Sequence, residues 1–215
     1  MDNSKSRLVF LDIDGTLFDY VRYKVFLRNK ISEILKVSAT EFEQIYRKSI
    51  DETRKKFGVF VPDFYLQQVI KNSNSQVSTS DLYNEVFAPP VIENFLFPDV
   101  SHFLEQASVM AELGVLSKGH PSYQGLKIKN FSKLLRSDKT YILSDKKGEA
   151  FRIVSESKDY KVYFIDNDPE TLEAYKDQGP SWTTILIERY EPLEYNGVSD
   201  FRIKSLLEAI EIIEK

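Results

Sequence analysis

The sequence predicts an α/β protein built on a parallel sheet, and three observations point to that class. Short apolar runs, typical of strands buried on both faces, recur along the chain. Helical segments separate these runs, as in a succession of βαβ units. The stretch from 20 to 94 differs, because its apolar residues follow a helical spacing throughout. We therefore expect a Rossmann-like sheet core with an all-helical insertion after the first strand.

Length and composition exclude several classes of function. The chain has 215 residues, of which 42% are hydrophobic, enough for one sizeable core and a smaller appended domain. A net charge of −4 without a basic block argues against nucleic-acid binding. With no cysteine, disulfides, thiolate chemistry and Cys-based metal sites are excluded. The polar N-terminus resembles no signal peptide and no apolar stretch is as long as a membrane span, so we expect a cytoplasmic protein without a membrane partner.

The first predicted strand, residues 8–11, leads directly into Asp12 and Asp14, which Gly15 follows. Ligands of open α/β sheets bind beyond the carboxyl ends of the strands. A carboxylate pair beside a glycine loop suits a hard cation and a phosphoryl group, and one carboxylate can act as a nucleophile. Asp-Gly is also a common hairpin turn, but the residues after it do not alternate as a return strand would.

The insertion contains several predicted helices. These lie at 21–35, 38–58, 64–70 and 82–87. Ser38 and Glu41 suggest a capping box, and Gly58 is a good C-terminal glycine. Pro89 and Pro90 are expected to break the chain before it returns to the core. Aromatic residues at helical spacing near the start, such as Tyr23, are more often core than binding site.

After the insertion, short strands and helices alternate. A short strand is predicted within 109–116, and further strands at 141–143, 162–165 and 183–187. Helices are predicted at 128–135, 150–154, 170–175 and 203–213. Ser199 or Asp200 is expected to cap the last helix. Two of the strands end in polar residues, at Ser117 and at 166–168. Because parallel strands share one carboxyl edge, we expect these residues to lie near Asp12.

Together these motifs resemble the haloacid dehalogenase-like (HAD) hydrolase superfamily. The first motif of that family, Asp-x-Asp-x-Thr after a strand, stands intact at 12–16. The second is an apolar strand ending in Ser or Thr, here Ser117, and the fourth is an acidic strand end, here 166–168. The resemblance covers essentially the whole chain. It implies an α/β core over 1–19 and 95–215 and a mobile helical cap of the C1 type over 20–94.

The resemblance implies a Mg²⁺-dependent phosphatase that hydrolyses a small phosphorylated metabolite through an aspartyl-phosphate intermediate. Asp12 would be the nucleophile, Asp14 the general acid and then base, and Ser117 a hydrogen-bond donor to the phosphoryl group. The implied phosphate-binding residues are Gly15, Thr16, Ser117, Lys118 and Lys146. The implied metal ligands are Asp12, the Asp14 backbone carbonyl, Asp166 and Asn167.

The intact Asp14 favours phosphate chemistry over dehalogenation, because the dehalogenase branch of the family lacks that acid. Two alternatives are open: a phosphomutase of the same superfamily, and a catalytically weak binding or regulatory protein on this fold. We expect a monomer or a homodimer.

Two features depart from the family pattern. Asn167 stands where a direct metal ligand is usual, and an amide brings no charge; Asp166 or Asp168 could take over, although Asp168 before Pro169 also suits a helix N-cap. The third-motif lysine has no Lys-Pro pair to mark it. Lys146, Lys147 and Lys127 are the candidates. Lys147 or its neighbour Lys146 is preferred as the catalytic lysine because both follow a predicted strand end.

Overall fold

The computed structural model describes residues 6–143, 149, 152–153, 159–178, 181–190, 197 and 199–215. Within these ranges six strands form one sheet, in the order β3-β2-β1-β4-β5-β6. They are β1 (Ser6–Leu11), β2 (Glu112–Lys118), β3 (Leu135–Leu143), β4 (Tyr160–Asp166), β5 (Thr183–Ile187) and β6 (Phe201–Ile203). All neighbouring strands are parallel, so the predicted α/β class is confirmed.

Nine α-helices accompany the sheet in the described part of the chain. They are α1 (Tyr20–Leu35), α2 (Ala39–Phe57), α3 (Pro62–Ser73), α4 (Thr79–Val86), α5 (Pro89–Glu93), α6 (Val100–Met110), α7 (Pro121–Ile128), α8 (Pro169–Gln178) and α9 (Leu206–Glu214). A 3₁₀ turn, Lys129–Phe131, follows α7. Among the described residues, no helix combines the length and the apolar character needed to cross a bilayer.

The chain divides into two compact units. The core unit contains Met1–Phe18, Phe97–Lys118 and Asn130–Lys215, and it holds the whole sheet. The helical unit contains Asp19–Leu96 and Gly119–Lys129. It therefore includes α7 in addition to α1–α5, whereas the sequence-based division assigns α7 to the core.

The sheet of the core unit is covered by helices on both faces. Alternate residues of a strand point to opposite faces. On one face, Phe10 stacks on Phe164 with ring centroids 5.5 Å apart, in a buried cluster with Leu172 of α8. On the other face, the Tyr163 hydroxyl donates a hydrogen bond to the Ile213 carbonyl of α9. Because both faces are covered, the carboxyl ends of the strands are the place for a site.

The strand order reverses at β1. From β1 the chain builds outward through β2 and β3 on one side, and β4, β5 and β6 then extend the sheet on the other. Leu11 pairs with Val115 of β2 and with Ile165 of β4. The point between β1 and β4 is therefore the topological switch point, where doubly wound sheets bind ligands.

The helical unit is held together by buried aromatic residues. Tyr23 of α1 is buried, its hydroxyl donates to the Val86 carbonyl at 2.8 Å, and its ring meets Phe95 edge-on. Burial raises the pKa of Tyr23 well above its ordinary value. The interpretation of this residue as core is therefore confirmed.

The ends of α2 lie where the sequence predicts them, but in the described contacts only the Ser38 half of the predicted capping box forms. The Ser38 side chain accepts a hydrogen bond from the Glu41 N–H at 3.2 Å, and Gly58 ends the helix with φ +72°. Pro89 and Pro90 separate α4 from α5 as the predicted break implies, but they also begin α5, and the helical unit continues to Leu96. Proline suits the first positions of a helix, because those N–H groups have no intrahelical partner.

The short strand predicted within 109–116 is confirmed as β2, but two other predictions in the second half of the chain are wrong. The helix predicted over 128–135 lies upstream, in α7. Ser205 and not Asp200 caps the last helix; Asp200 accepts hydrogen bonds from the Thr184 N–H and Lys176 Nζ. The helix predicted over 150–154 lies largely outside the described residues.

Candidate active site

Two carboxylates stand side by side at the switch point. Asp12 directly follows β1, and its N–H donates to the Ile165 carbonyl at 3.0 Å. Asp166 ends β4, one residue beyond the Leu11–Ile165 pair. Both are buried. The structure thus brings together the first and the last of the predicted acidic motifs, as expected from a shared carboxyl edge.

Ser117 lies on the other side of β1, near the end of β2. It is buried and follows Val115, the partner of Leu11, by two residues. Asp12, Ser117 and Asp166 therefore share the carboxyl edge of three neighbouring strands. Lys118, the next residue, is exposed at the end of β2.

The chain after Asp12 forms a tight loop. The Ile13 carbonyl accepts hydrogen bonds from the Leu17 and Phe18 N–H groups at 2.9 and 2.8 Å, and the Gly15 N–H donates to the Phe18 carbonyl at 2.8 Å. The chain then enters α1, so the Asp-Gly pair does not form a hairpin. These hydrogen bonds fix the backbone that carries Asp14.

Gly15 is required at its position in this loop. Its φ is +84°, a left-handed conformation that favours glycine. A Cβ there would also lie 2.6 Å from Cγ and Nδ2 of Asn167. The Asn167 amide thus packs directly on Gly15, and it joins the first motif to the fourth.

Asp168 has the hydrogen bonds of a helix cap. One of its carboxylate oxygens accepts from the Glu170 N–H at 3.2 Å, and the other accepts from the Thr171 hydroxyl in the first turn of α8. The Asp168 N–H in turn donates to Asp166 Oδ1 at 2.9 Å. This geometry favours the N-cap interpretation of Asp168 over a metal ligand.

Sequence reasoning missed an ion pair that contacts the first motif. Arg189, which follows β5, donates two hydrogen bonds to the Thr16 carbonyl, and its Nη1 donates to Asp99 Oδ2 at 2.8 Å. Thr16 itself is buried, and its Oγ1 has no hydrogen-bond partner among the described residues. No motif marks Arg189, because its contacts are with residues far away in the sequence.

The candidates for the third-motif lysine fall into two groups. Lys146 and Lys147 lie outside the described residues. Lys127, in α7 of the helical unit, is buried; its Nζ donates to Gln124 Oε1 at 2.6 Å and lies 3.9 Å from the centroid of the Tyr123 ring. Lys127 is therefore not a solvated surface residue. The preference for Lys146 or Lys147 stays a prediction.

The residues at the switch point are suited to a hard cation. Asp12, Asp166 and Asn167 offer carboxylate and amide oxygens, the donors that Mg²⁺ prefers. Within the described ranges, no three acidic or histidine side chains are grouped as a metal site. A cation here would therefore need a backbone carbonyl and water for its remaining ligands, which is usual for Mg²⁺.

Comparison with known proteins finds relatives by fold but not by sequence. The sequence matches no protein-family model and no curated protein. Its fold, in contrast, matches a solved haloacid dehalogenase-like hydrolase of Burkholderia xenovorans LB400 with a TM-score of 0.74, at 18% identity over 96% of this chain and 98% of that one.

Two further solved structures cover the whole chain about as well. The HAD phosphatase of Thermococcus onnurineus has a TM-score of 0.62, at 20% identity over 96% of this chain and 97% of that one. The HAD hydrolase YfnB of Bacillus subtilis, bound to magnesium, has a TM-score of 0.63, at 12% identity over 99% and 100%. L-2-haloacid dehalogenases also match. The chain therefore has the fold of the HAD-like hydrolases, and at these identities the similarity establishes the fold alone.

Proposed function

We propose that this protein is a phosphatase that hydrolyses small phosphate monoesters, with Asp12 as the nucleophile. The arrangement of Asp12 and Asp166 at the switch point, with Asp14 held two residues further on, carries this proposal. The similarity of fold to the HAD phosphatase of Thermococcus onnurineus supports it.

Each residue has a defined part in the proposed reaction. A carboxylate oxygen of Asp12 attacks phosphorus, and the bond from phosphorus to the ester oxygen breaks. The Asp14 carboxyl group gives its proton to the departing alkoxide. The resulting Asp14 carboxylate then takes a proton from a water molecule, which attacks the aspartyl phosphate, releases inorganic phosphate and restores Asp12. Ser117 donates a hydrogen bond to a phosphoryl oxygen.

A Mg²⁺ ion would be held by Asp12, the Asp14 carbonyl, Asp166 and Asn167. When bound, it would neutralise charge on the phosphoryl group, so that the anionic Asp12 can approach. The oxygen donors at this edge and the magnesium in YfnB support this assignment.

The presence of Asp14 favours phosphate esters over haloacids. A halide leaves without a proton, whereas an alkoxide needs one. An acid two residues after the nucleophile is therefore useful to a phosphatase and has no corresponding task in halide displacement. Dehalogenase neighbours share the fold, and this chemical difference separates the two activities.

The test uses two classes of phosphate ester and a haloacid. The wild-type protein should release phosphate from an aryl and from an alkyl phosphate when Mg²⁺ is present, and chelation should abolish the release. Asp12→Asn should lose several orders of magnitude in activity on both esters. Asp14→Asn should reduce alkyl phosphate hydrolysis much more than aryl phosphate hydrolysis, because a phenolate leaves without full protonation.

Other outcomes would point to other functions. Release of halide from 2-haloacids without phosphatase activity would contradict the proposal. Transfer of phosphate to a sugar in preference to water would indicate a phosphomutase. The neutral Asn167, packed on Gly15, favours a second candidate, a catalytically weak binding protein. Calorimetric binding of a phosphorylated metabolite without turnover would support that candidate. A panel of phosphorylated metabolites would then identify the substrate.

A further inference from the structure

We propose that Arg189, paired with Asp99, is a positioning residue that holds the Asp12–Thr16 loop in its catalytic conformation. The catalytic part of this inference rests on the proposed phosphatase function. Its structural part concerns the loop itself and can be measured separately.

Arg189 holds the loop through a backbone group. Its Nε and Nη2 donate to the Thr16 carbonyl at 3.1 and 2.9 Å. Two N–H groups on one side of the guanidinium therefore bind the same oxygen. The next carbonyl, that of Leu17, accepts from the Phe97 N–H at 3.0 Å. Two consecutive carbonyls just after Asp14 are therefore fixed from outside the loop. Since Asp14 must meet the leaving group within a fraction of an ångström, this fixation bears directly on catalysis.

Arg189 is itself fixed by Asp99. Asp99 Oδ2 accepts hydrogen bonds from Arg189 Nη1, from the Ser205 hydroxyl at 2.7 Å and from the Leu206 N–H at 2.8 Å. The guanidinium also lies over the Phe97 ring, 4.2 Å from its centroid. Burial alone raises the pKa of Asp99, but the hydrogen bonds from Arg189 and Ser205 outweigh it, and the pKa is lowered. The carboxylate is thus kept charged to hold the arginine.

The burial of the Arg189–Asp99 pair argues for a role beyond stability. The side chains of Arg189 and Asp99 are only 5% and 11% exposed. A buried ion pair contributes little net stability compared with well-packed apolar residues, so stability alone does not account for it. Lysine could not replace the arginine, because an ammonium lacks the planar fork that binds Thr16 and Asp99 together.

The core unit offers a matched control. Lys176 Nζ lies 2.7 Å from Asp200 and also donates to the Trp182 carbonyl, and Asp200 accepts from the Thr184 N–H. This pair is 21% and 31% exposed and lies beside the start of β5, whereas Arg189 follows the end of that strand. It is a hydrogen-bonded ion pair of the same unit, and these partners lie outside the Asp12–Thr16 loop.

The experiment compares three variants of the full chain. Arg189→Lys keeps the charge and removes the fork. Arg189→Met with Asp99→Asn removes both charges, so that no buried charge is left unpaired. Lys176→Met with Asp200→Asn is the control. Hydrogen exchange of the peptide covering 12–18, the melting temperature, kcat and KM are measured for each on aryl and alkyl phosphates.

Both Arg189 variants should exchange the 12–18 amides about tenfold faster than the wild type, because the loop loses its outer hydrogen bonds. Their kcat should fall by about 100-fold while KM changes little, since the loss concerns the geometry of Asp14. The control should lower the melting temperature without changing loop exchange or kcat.

The proposal is overturned if the Arg189 variants keep wild-type loop exchange, or if the control changes the loop as much at an equal loss of melting temperature. If one variant does not fold, the other decides, because one keeps the positive charge and the other removes both charges. Should the wild type release no phosphate, the proposed function fails, and loop exchange still tests the role of Arg189.

Discussion

Gly15 stands at the tightest point of the candidate site. Gly15→Ala would place a methyl group 2.6 Å from the Asn167 amide and would strain a backbone with φ +84°. We expect the loop to shift and phosphatase activity to fall by about 100-fold, because a displacement of about 1 Å near the reacting groups has that effect. Steady-state kinetics with an aryl phosphate measures the loss.

Gly58 is the control for this substitution. It has a similar φ of +72°, but no atom lies within 4 Å of the Cβ position. Gly58→Ala should therefore cost about 1 kcal/mol of stability from backbone strain, without changing kcat. Equal losses of kcat in the two variants would show that strain alone, and not contact with Asn167, governs activity.

Asp166 and Asp168 are expected to differ in their effect on the metal requirement. Asp166→Ala should raise the Mg²⁺ concentration needed for half-maximal activity, because it removes a buried carboxylate beside Asp12. Asp168→Ala should instead cost about 1 kcal/mol through loss of the α8 cap. Activity titrated with Mg²⁺ and urea unfolding distinguish the two. The reverse order would show that the fourth motif is misassigned.

The site could be predicted from the sequence only where its residues lie at strand ends. Asp12, Ser117 and Asp166 belong to this kind, because a parallel sheet brings its carboxyl edges together. Arg189 does not, since its contact with Thr16 spans 173 positions and no local pattern encodes it. The packing of Asn167 on Gly15 is likewise a property of the folded chain, although each residue belongs to a visible motif.

At the scale of elements, Ser205 is a cap with two tasks. It forms a capping box with Glu208 at the start of α9, and its hydroxyl also donates to Asp99. Ser205→Ala should therefore destabilise the protein by more than the roughly 1 kcal/mol typical of a lost cap. At α2, the Ser38 side chain makes only the capping hydrogen bond to Glu41 within the described part of the chain, so Ser38→Ala should cost about 1 kcal/mol.

Urea unfolding followed by circular dichroism gives both values. A shift of the midpoint at constant slope indicates a change of stability and not of compactness. Similar losses for Ser205→Ala and Ser38→Ala would mean that the hydrogen bond to Asp99 contributes nothing.

The ends of helices and strands could be predicted where a capping residue or a continuous buried run marks them in the sequence. Ser38 and Gly58 marked the limits of α2, and the buried run of β5 was recovered at 183–187. The short strand predicted within 109–116 is β2, but the sequence did not mark where it begins, because the apolar Val109 lies 88% exposed in the last turn of α6. The three-residue β6 was missed, since a strand this short has no periodicity of its own.

For the whole molecule, the sequence indicated a helical insertion in an α/β chain, and the structure has a separate helical unit. We expect the helical unit of the present protein to move as a cap, because a lid must open to admit substrate and close to exclude water. The chain passes between the two units at four places, between residues 18 and 19, 96 and 97, 118 and 119, and 129 and 130, and we expect the hinges at these crossings.

The absence of cysteine allows this motion to be measured with two introduced labels. Val109 of the core unit and Val25 of the helical unit are 88% and 55% exposed, so both accept a fluorophore after mutation to cysteine. Energy transfer between them should shift when Mg²⁺ and orthovanadate are added. A control pair within the core unit, at Val109 and the exposed Glu173, should not change. If the energy transfer between the labels at Val25 and Val109 stays unchanged, the helical unit does not move as a cap.

The central position of β1 has a consequence for synthesis on the ribosome. Leu11 pairs with Val115 and Ile165, so both neighbours of β1 come from much later in the chain. The helices between residues 20 and 93 contact one another locally and can form as soon as they emerge. A nascent chain halted before residue 160 has no β4, and it therefore exposes one edge of an apolar strand. Such an intermediate is a natural substrate for chaperones until β4 has been translated.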